Sequence, residues 1–167
     1  MDLKSALKKL EEKPLFKEWK HKNKNTYLSY AFKIPQEMDA NEWQLGFYDK
    51  KKDNITTFVI TGDTVNIRPE EELFKNEEME VNEIEIDKVR MTFDNVVLKG
   101  SEFQQKNYPK DKSIKTIAIL QNLPNFGNVW NLTYITESFN TLNMKIDASS
   151  GKVLEHHISS VFSFRMK

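Results

Sequence analysis

The side chains with the most potential for chemistry are Glu155, His156 and His157, which are consecutive. Imidazole nitrogens and carboxylate oxygens bind zinc, and imidazole also transfers protons near neutral pH. In a strand, however, neighbouring side chains point to opposite faces, so the two histidine rings cannot bind one ion together. Glu155 and His157 share a face, but a zinc site needs a further protein ligand, which the sequence does not indicate. We therefore expect structural or surface histidines, no metal and no cofactor.

Sequence motifs of nucleotide binding and hydrolytic catalysis are missing. The chain has no Walker loop, no Gly-x-Gly-x-x-Gly, no Gly-x-Ser-x-Gly and no His-Glu-x-x-His. It also has no cysteine, which excludes disulfides, a thiol nucleophile and cysteine-based metal sites. We predict no enzymatic activity and assign no catalytic residue.

Aromatic side chains are the remaining candidates for a binding site. Under the favoured interpretation they fill the core, because large aromatics in helix–sheet proteins usually pack beneath the helix. Under the alternative they line a groove for a small apolar ligand between helix and sheet. The ligand-binding candidates are Tyr30, Trp43, Phe47, Trp130 and Tyr134.

Aromatic and apolar types recur about 87 positions apart along the chain. The segment 43–47, Trp-Gln-Leu-Gly-Phe, is similar to the segment 130–134, Trp-Asn-Leu-Thr-Tyr. A repeat of this kind predicts two similar modules, although the identities between the copies are few. We place module 1 at residues 1–69, an acidic linker at 70–85 and module 2 at 86–167. Residues 70–87 hold nine acids against Lys75 alone.

Hydrophobic periodicity predicts a helix followed by about four antiparallel strands in each half. In the first half, Leu3 to Leu10 keep helical spacing, Pro14 interrupts the helix, and strands are expected at 28–34, 43–47, 55–60 and 65–67. In the second half, a helix is expected from Ile86 to Val97, ending near Gly100. Strands follow at 114–120, 130–135, 142–146 and 153–164, the first apolar on both faces and therefore central. The predicted class is α+β, with each module a helix packed on a roughly four-stranded antiparallel sheet.

A hairpin in the second half carries a family resemblance. The segment 144–154 reads Met-Lys-Ile-Asp-Ala-Ser-Ser-Gly-Lys-Val-Leu and follows the aromatic strand at 130–134. It resembles the closing hairpin of PepSY domains, most clearly over residues 128–155. The resemblance implies a non-enzymatic module of inhibitory or regulatory type, in a family found in protease propeptides and in membrane or secreted proteins.

Charge and hydropathy limit the partners. The 25 basic and 25 acidic residues balance, so we expect no nucleic-acid binding, and no apolar run is long enough to span a membrane. The start of the sequence lacks the apolar core of a signal peptide, which favours a cytoplasmic protein, or a secreted or cell-surface one if a leader has been removed. Two functions stay open: a binding or regulatory protein of two PepSY-like modules with a protein partner, and a small-ligand binder or enzyme with an aromatic-lined pocket.

Overall fold

The computed structural model describes residues 1–35, 42–68, 71–72 and 80–162. The helices are α1 (Leu3–Glu12), α2 (Pro14–Lys22) and α3 (Phe93–Asn107), with a short 3-10 helix at Ile86–Lys88. The strands are β1 (Thr26–Lys33), β2 (Glu42–Asp49), β3 (Asn54–Thr61), β4 (Thr64–Ile67), β5 (Glu71–Glu72), β6 (Ser113–Leu123), β7 (Gly127–Thr136), β8 (Asn140–Asp147) and β9 (Val153–Ser160). All their pairings are antiparallel. The predicted α+β class with an antiparallel sheet is confirmed.

The strands form one continuous sheet in the order β4-β3-β2-β1-β6-β7-β8-β9, with β5 paired to β3. The prediction of two modules, each a helix on its own four-stranded sheet, is therefore wrong. β1 and β6 hydrogen-bond to each other, with Ala31 opposite Leu120 and Lys33 opposite Ala118. A separate module would leave the backbone groups of both strands exposed at a sheet edge, and their pairing removes that edge. β6 lies at the centre of the order, as its apolar faces predicted.

The first two helices begin and end where the sequence provides signals. Asp2 caps α1, since its carboxylate accepts a 3.0 Å hydrogen bond from the backbone N–H of Ser5. The break predicted at Pro14 is confirmed, because α1 ends at Glu12 and Pro14 is the first residue of α2. Proline is tolerated at that position, where its missing N–H would have no helical partner.

The third helix begins later than predicted and does not stop at Gly100. Thr92 caps its first turn, and the helix passes through Gly100 to Asn107. A Cβ on Gly100 would lie 2.7 Å from the Tyr134 hydroxyl and would overlap Leu132. Glycine therefore allows α3 to approach the sheet closely without displacing these side chains, and its low helix propensity is a cost that this packing offsets.

The connections into and within the second half are docked on the sheet. The predicted linker lies partly outside the described residues, but at its end the Ile84 N–H donates to the Leu28 carbonyl at 2.9 Å. The predicted turn between β8 and β9 is confirmed: the Asp147 carboxylate accepts from the backbone of Ser149 and Ser150, and Gly151 has φ +74°. The last strand ends at Ser160, earlier than predicted, and Phe164 lies outside the described residues.

Candidate functional site

Trp43 and Trp130 lie side by side in the core on the helix-covered face of the sheet. Both side chains are fully buried, and their ring centroids are 6.3 Å apart. The indole N–H groups donate to backbone carbonyls, that of Trp43 to Met1 at 3.1 Å and that of Trp130 to Met91 at 3.3 Å. A cavity of about 120 Å³ touches Trp130, but it is too small for most ligands.

The other sequence candidates are separated by the sheet. Phe47 is buried on the helix-covered face, where its ring contacts Phe16, Trp19 and Phe58. Tyr30 lies on the opposite face, because it alternates with the core residue Ala31, and its hydroxyl is 2.7 Å from that of Thr57. The five candidates therefore do not form one site.

A groove runs along α3, between this helix and the sheet. Two adjoining volumes of about 480 Å³ and 410 Å³ share Val97 and Ser101 as lining residues. The remaining lining residues are Gln104, Gln105, Pro109, Lys112, Ser113, Thr116 and Tyr134 in the larger part, and Lys33, Pro35, Phe93, Asp94 and Leu98 in the smaller. Each part is within the size range of small-molecule sites.

Small side chains on β6 explain why the groove lies here. Two successive core-facing positions of this strand are occupied by Thr116, which pairs with Tyr134 of β7, and by Ala118, which pairs with Leu132. Neither Thr116 nor Ala118 extends far enough from the sheet to fill the space beside α3. The groove therefore opens above the centre of the sheet, close to the β1–β6 seam.

Tyr134 is the one sequence candidate whose polar group faces this groove. Its side chain is 2% exposed and lines the larger part. Burial raises the pKa of Tyr134 to about 12, so the hydroxyl stays protonated and can donate a hydrogen bond. Among the described residues no acceptor pairs with it, and no fully buried side-chain polar atom is left unpaired. The hydroxyl must therefore reach the solvent in the groove.

The ammonium of Lys33, a largely buried side chain, is a second donor at the other end of the groove. The residue is 7% exposed, and its ammonium lies 4.8 Å from the centroid of the Phe93 ring and 5.2 Å from that of Trp43. Burial lowers the pKa of Lys33, and the Asp94 carboxylate opposes this shift. The aromatic faces attract the cation but do not accept its N–H groups as a carboxylate does. In the described part of the chain, no hydrogen bond or ion pair involves the ammonium.

The histidines do not belong to the groove. The His156 Nδ1 is 2.6 Å from the Tyr108 hydroxyl, and its ring packs on Phe103. Glu155 accepts from Lys145 at 2.6 Å. The described residues contain no group of three or more side chains placed to hold a metal ion.

Sequence reasoning missed Lys33 because β1 contains a bulge between Leu28 and Tyr30. Strict alternation from Leu28 places Lys33 on the outer face. The extra residue reverses the alternation, so that Ala31 and Lys33 face the core. Ser29 and Ala31, small residues between large apolar ones, are the weak signal that could have indicated the change.

Comparisons with known proteins bear only on the fold. No protein-family model and no curated protein matches the sequence. The structure is similar to the crystal structure of a "putative lipoprotein" from Clostridium difficile 630, with a TM-score of 0.54 and 13% sequence identity. The alignment covers 87% of this chain and 90% of that protein, so the likeness extends over almost the entire fold of both. None of the helices in the described ranges is long and apolar enough to cross a bilayer.

Proposed function

We propose that the protein is a non-catalytic binding protein that holds a small, largely apolar ligand in the groove beside α3. The observation that carries this proposal is a pair of donors on largely buried side chains, Lys33 and Tyr134, that line the groove and have no acceptor among the described residues. Polar groups of largely buried side chains are nearly always hydrogen-bonded to the protein or to water, so each of these donors requires an acceptor in the groove. A ligand with matching acceptors supplies one. Val97, Phe93 and Leu98 provide apolar surface beside the donors.

Ser101 allows a direct test of binding in the groove, because it lines both parts. We expect the protein to bind the neutral dye N-phenyl-1-naphthylamine with increased fluorescence, and Ser101→Phe to abolish that increase by filling the groove. Glu102→Phe is the matched control, since it adds the same side chain at the next, exposed position of α3. The proposal is wrong if Ser101→Phe, folded by circular dichroism, binds the dye as the unaltered protein does.

The PepSY-like hairpin over residues 128–155 supports the same non-catalytic class. Its turn is held by backbone contacts, since the N–H groups of Arg90 and Met91 both donate to the Ala148 carbonyl. In this proposal the hairpin is a structural support for the start of α3, and therefore for one wall of the groove.

We further propose that the protein works at the cell surface, the alternative to the cytoplasmic location expected from the sequence. The likeness to the clostridial lipoprotein over almost its entire length supports this location. Immunoblots of intact source cells treated with protease test it: a surface protein is degraded before lysis. Persistence of the full-length band until the cells are lysed is the opposite result.

A further inference from the structure

The chemistry of the groove indicates the kind of ligand it takes. We propose that the ligand is an amphiphilic carboxylate, with its carboxylate on the Lys33 ammonium and its hydrocarbon chain along α3 toward Tyr134. This inference rests on the groove-binding function proposed above and specifies its ligand.

The first support is the state of Lys33. The Lys33 side chain as a whole is 7% exposed while its ammonium keeps contact with solvent, and in known proteins a charge in such surroundings is paired or hydrogen-bonded. Here the ammonium has two aromatic faces beside it and no anionic partner within ion-pair distance in the described residues. An incoming carboxylate would meet a cation that is already partly dehydrated and held in place by Trp43 and Phe93, which reduces the cost of binding.

Among the described residues, Asp94 is the one acid that lines the same end of the groove, and its charge opposes a bound anion. Its side chain is exposed to solvent, whereas Lys33 is buried. Water and salt screen an exposed charge more effectively than a buried one. The field inside the groove is therefore dominated by Lys33, and Asp94 weakens anion binding without reversing the preference.

The second support is the nature of the groove away from Lys33. Val97 lines both parts, and Leu98 is 59% exposed at the rim of the part that contains Lys33. A hydrocarbon chain would cover this apolar surface. Lys33 and Tyr134 are separated by two strand spacings and two residues along the strands, so their Cα atoms are roughly 12 Å apart. A chain of medium length fits between them.

Tyr134 contributes to the affinity for a ligand but not to the preference for its charge. With a pKa of about 12, its hydroxyl is a neutral donor, so it can bind an acceptor on the ligand but contributes no charge. Of these two donors, only Lys33 carries a charge that distinguishes an anionic ligand from a cationic one. The charge preference and the total affinity can therefore be measured separately.

The experiment compares three probes of the same chain length: decanoate, decanol and decylammonium. Their binding to the unaltered protein is measured by displacement of N-phenyl-1-naphthylamine. We expect decanoate to bind about tenfold or more tightly than decylammonium, as the loss of one charge-assisted hydrogen bond implies. Decanol is expected to lie between them.

Variants then assign the preference to Lys33. Lys33→Met keeps the length of the side chain and is expected to weaken decanoate binding about tenfold while decanol binding stays the same. Lys33→Arg is expected to keep the preference for decanoate, and Asp94→Asn to strengthen it a few-fold. Lys106→Met, at an exposed position of α3 that does not line the groove, is the matched control and should bind as the unaltered protein does.

The outcomes separate this inference from the proposal on which it rests. Equal affinity for the three probes, or a preference for decanoate that survives Lys33→Met, overturns the inference even when the dye binds and Ser101→Phe blocks it. Dye binding without any displacement by decanoate also overturns it. If neither the dye nor any probe binds, the groove-binding function itself is wrong.

Discussion

Trp130→Ala is expected to lower the free energy of unfolding by about 3–5 kcal/mol, the range for removing a large buried aromatic. The side chain is fully buried between Trp43 and Phe93, with ring centroids 6.3 Å and 6.0 Å away. These groups come from β2, β7 and the start of α3, so they cannot close the cavity without moving two layers of the structure. The substitution also leaves the Met91 carbonyl without the indole donor.

Urea denaturation followed by far-UV circular dichroism measures this effect without relying on tryptophan fluorescence. Trp19→Ala is a suitable control, because Trp19 is only partly buried at the edge of the same core. We expect it to cost clearly less than Trp130→Ala. A loss below about 1 kcal/mol for Trp130→Ala would contradict the central packing described for this residue.

Gly46→Ala is expected to destabilise the protein by about 1–3 kcal/mol through overpacking, although it adds a single methyl group. The Tyr30 ring lies across Gly46 on the outer face of the sheet. An added Cβ would lie 2.6 Å from the Tyr30 Cζ and closer still to two other ring atoms. The ring cannot simply turn away, because its hydroxyl is hydrogen-bonded to Thr57.

A double-mutant cycle tests that cause. In a Tyr30→Ala background the obstructing ring is absent, so Gly46→Ala should cost at least about 1 kcal/mol less than it does alone. Thermal and urea unfolding of the four proteins provide the comparison. Additive effects would show that the cost of Gly46→Ala arises from something other than contact with Tyr30.

Local structure could be predicted from the sequence where it depends on residues that are close along the chain. Pro14 separates α1 from α2, and alternating apolar residues place β2, β3, β7 and β8 within a few residues of their observed bounds. Pairing between β1 and β6 could not be predicted in this way, because their backbone groups and apolar faces suit any free strand edge. The start of α3 was missed because Ile86 and Val89 keep helical spacing, yet the chain there forms only a 3-10 turn.

The candidate site was predicted only in part, for a related reason. Tyr134 was identified by its type and by its place in an aromatic strand. Lys33 was not, because a single bulge reverses the face of β1, and periodicity cannot detect a bulge that no glycine marks. Burial of the lysine is visible only when α3 and β2 are placed around it. Long-range packing, not local pattern, creates the groove.

The seam between β1 and β6 also has a consequence for folding kinetics. Other pairings between the described strands join segments that are near neighbours along the chain, whereas Lys33 and Ala118 are about 85 positions apart. Closing such a long loop costs entropy before any of its contacts contribute. The hairpins on either side can form early, and the pairing of β1 with β6 follows as a later step. Because Lys33 and Pro35 come from the first half and the rest of the lining comes from the second, the Lys33 end of the groove is completed only when this pairing forms.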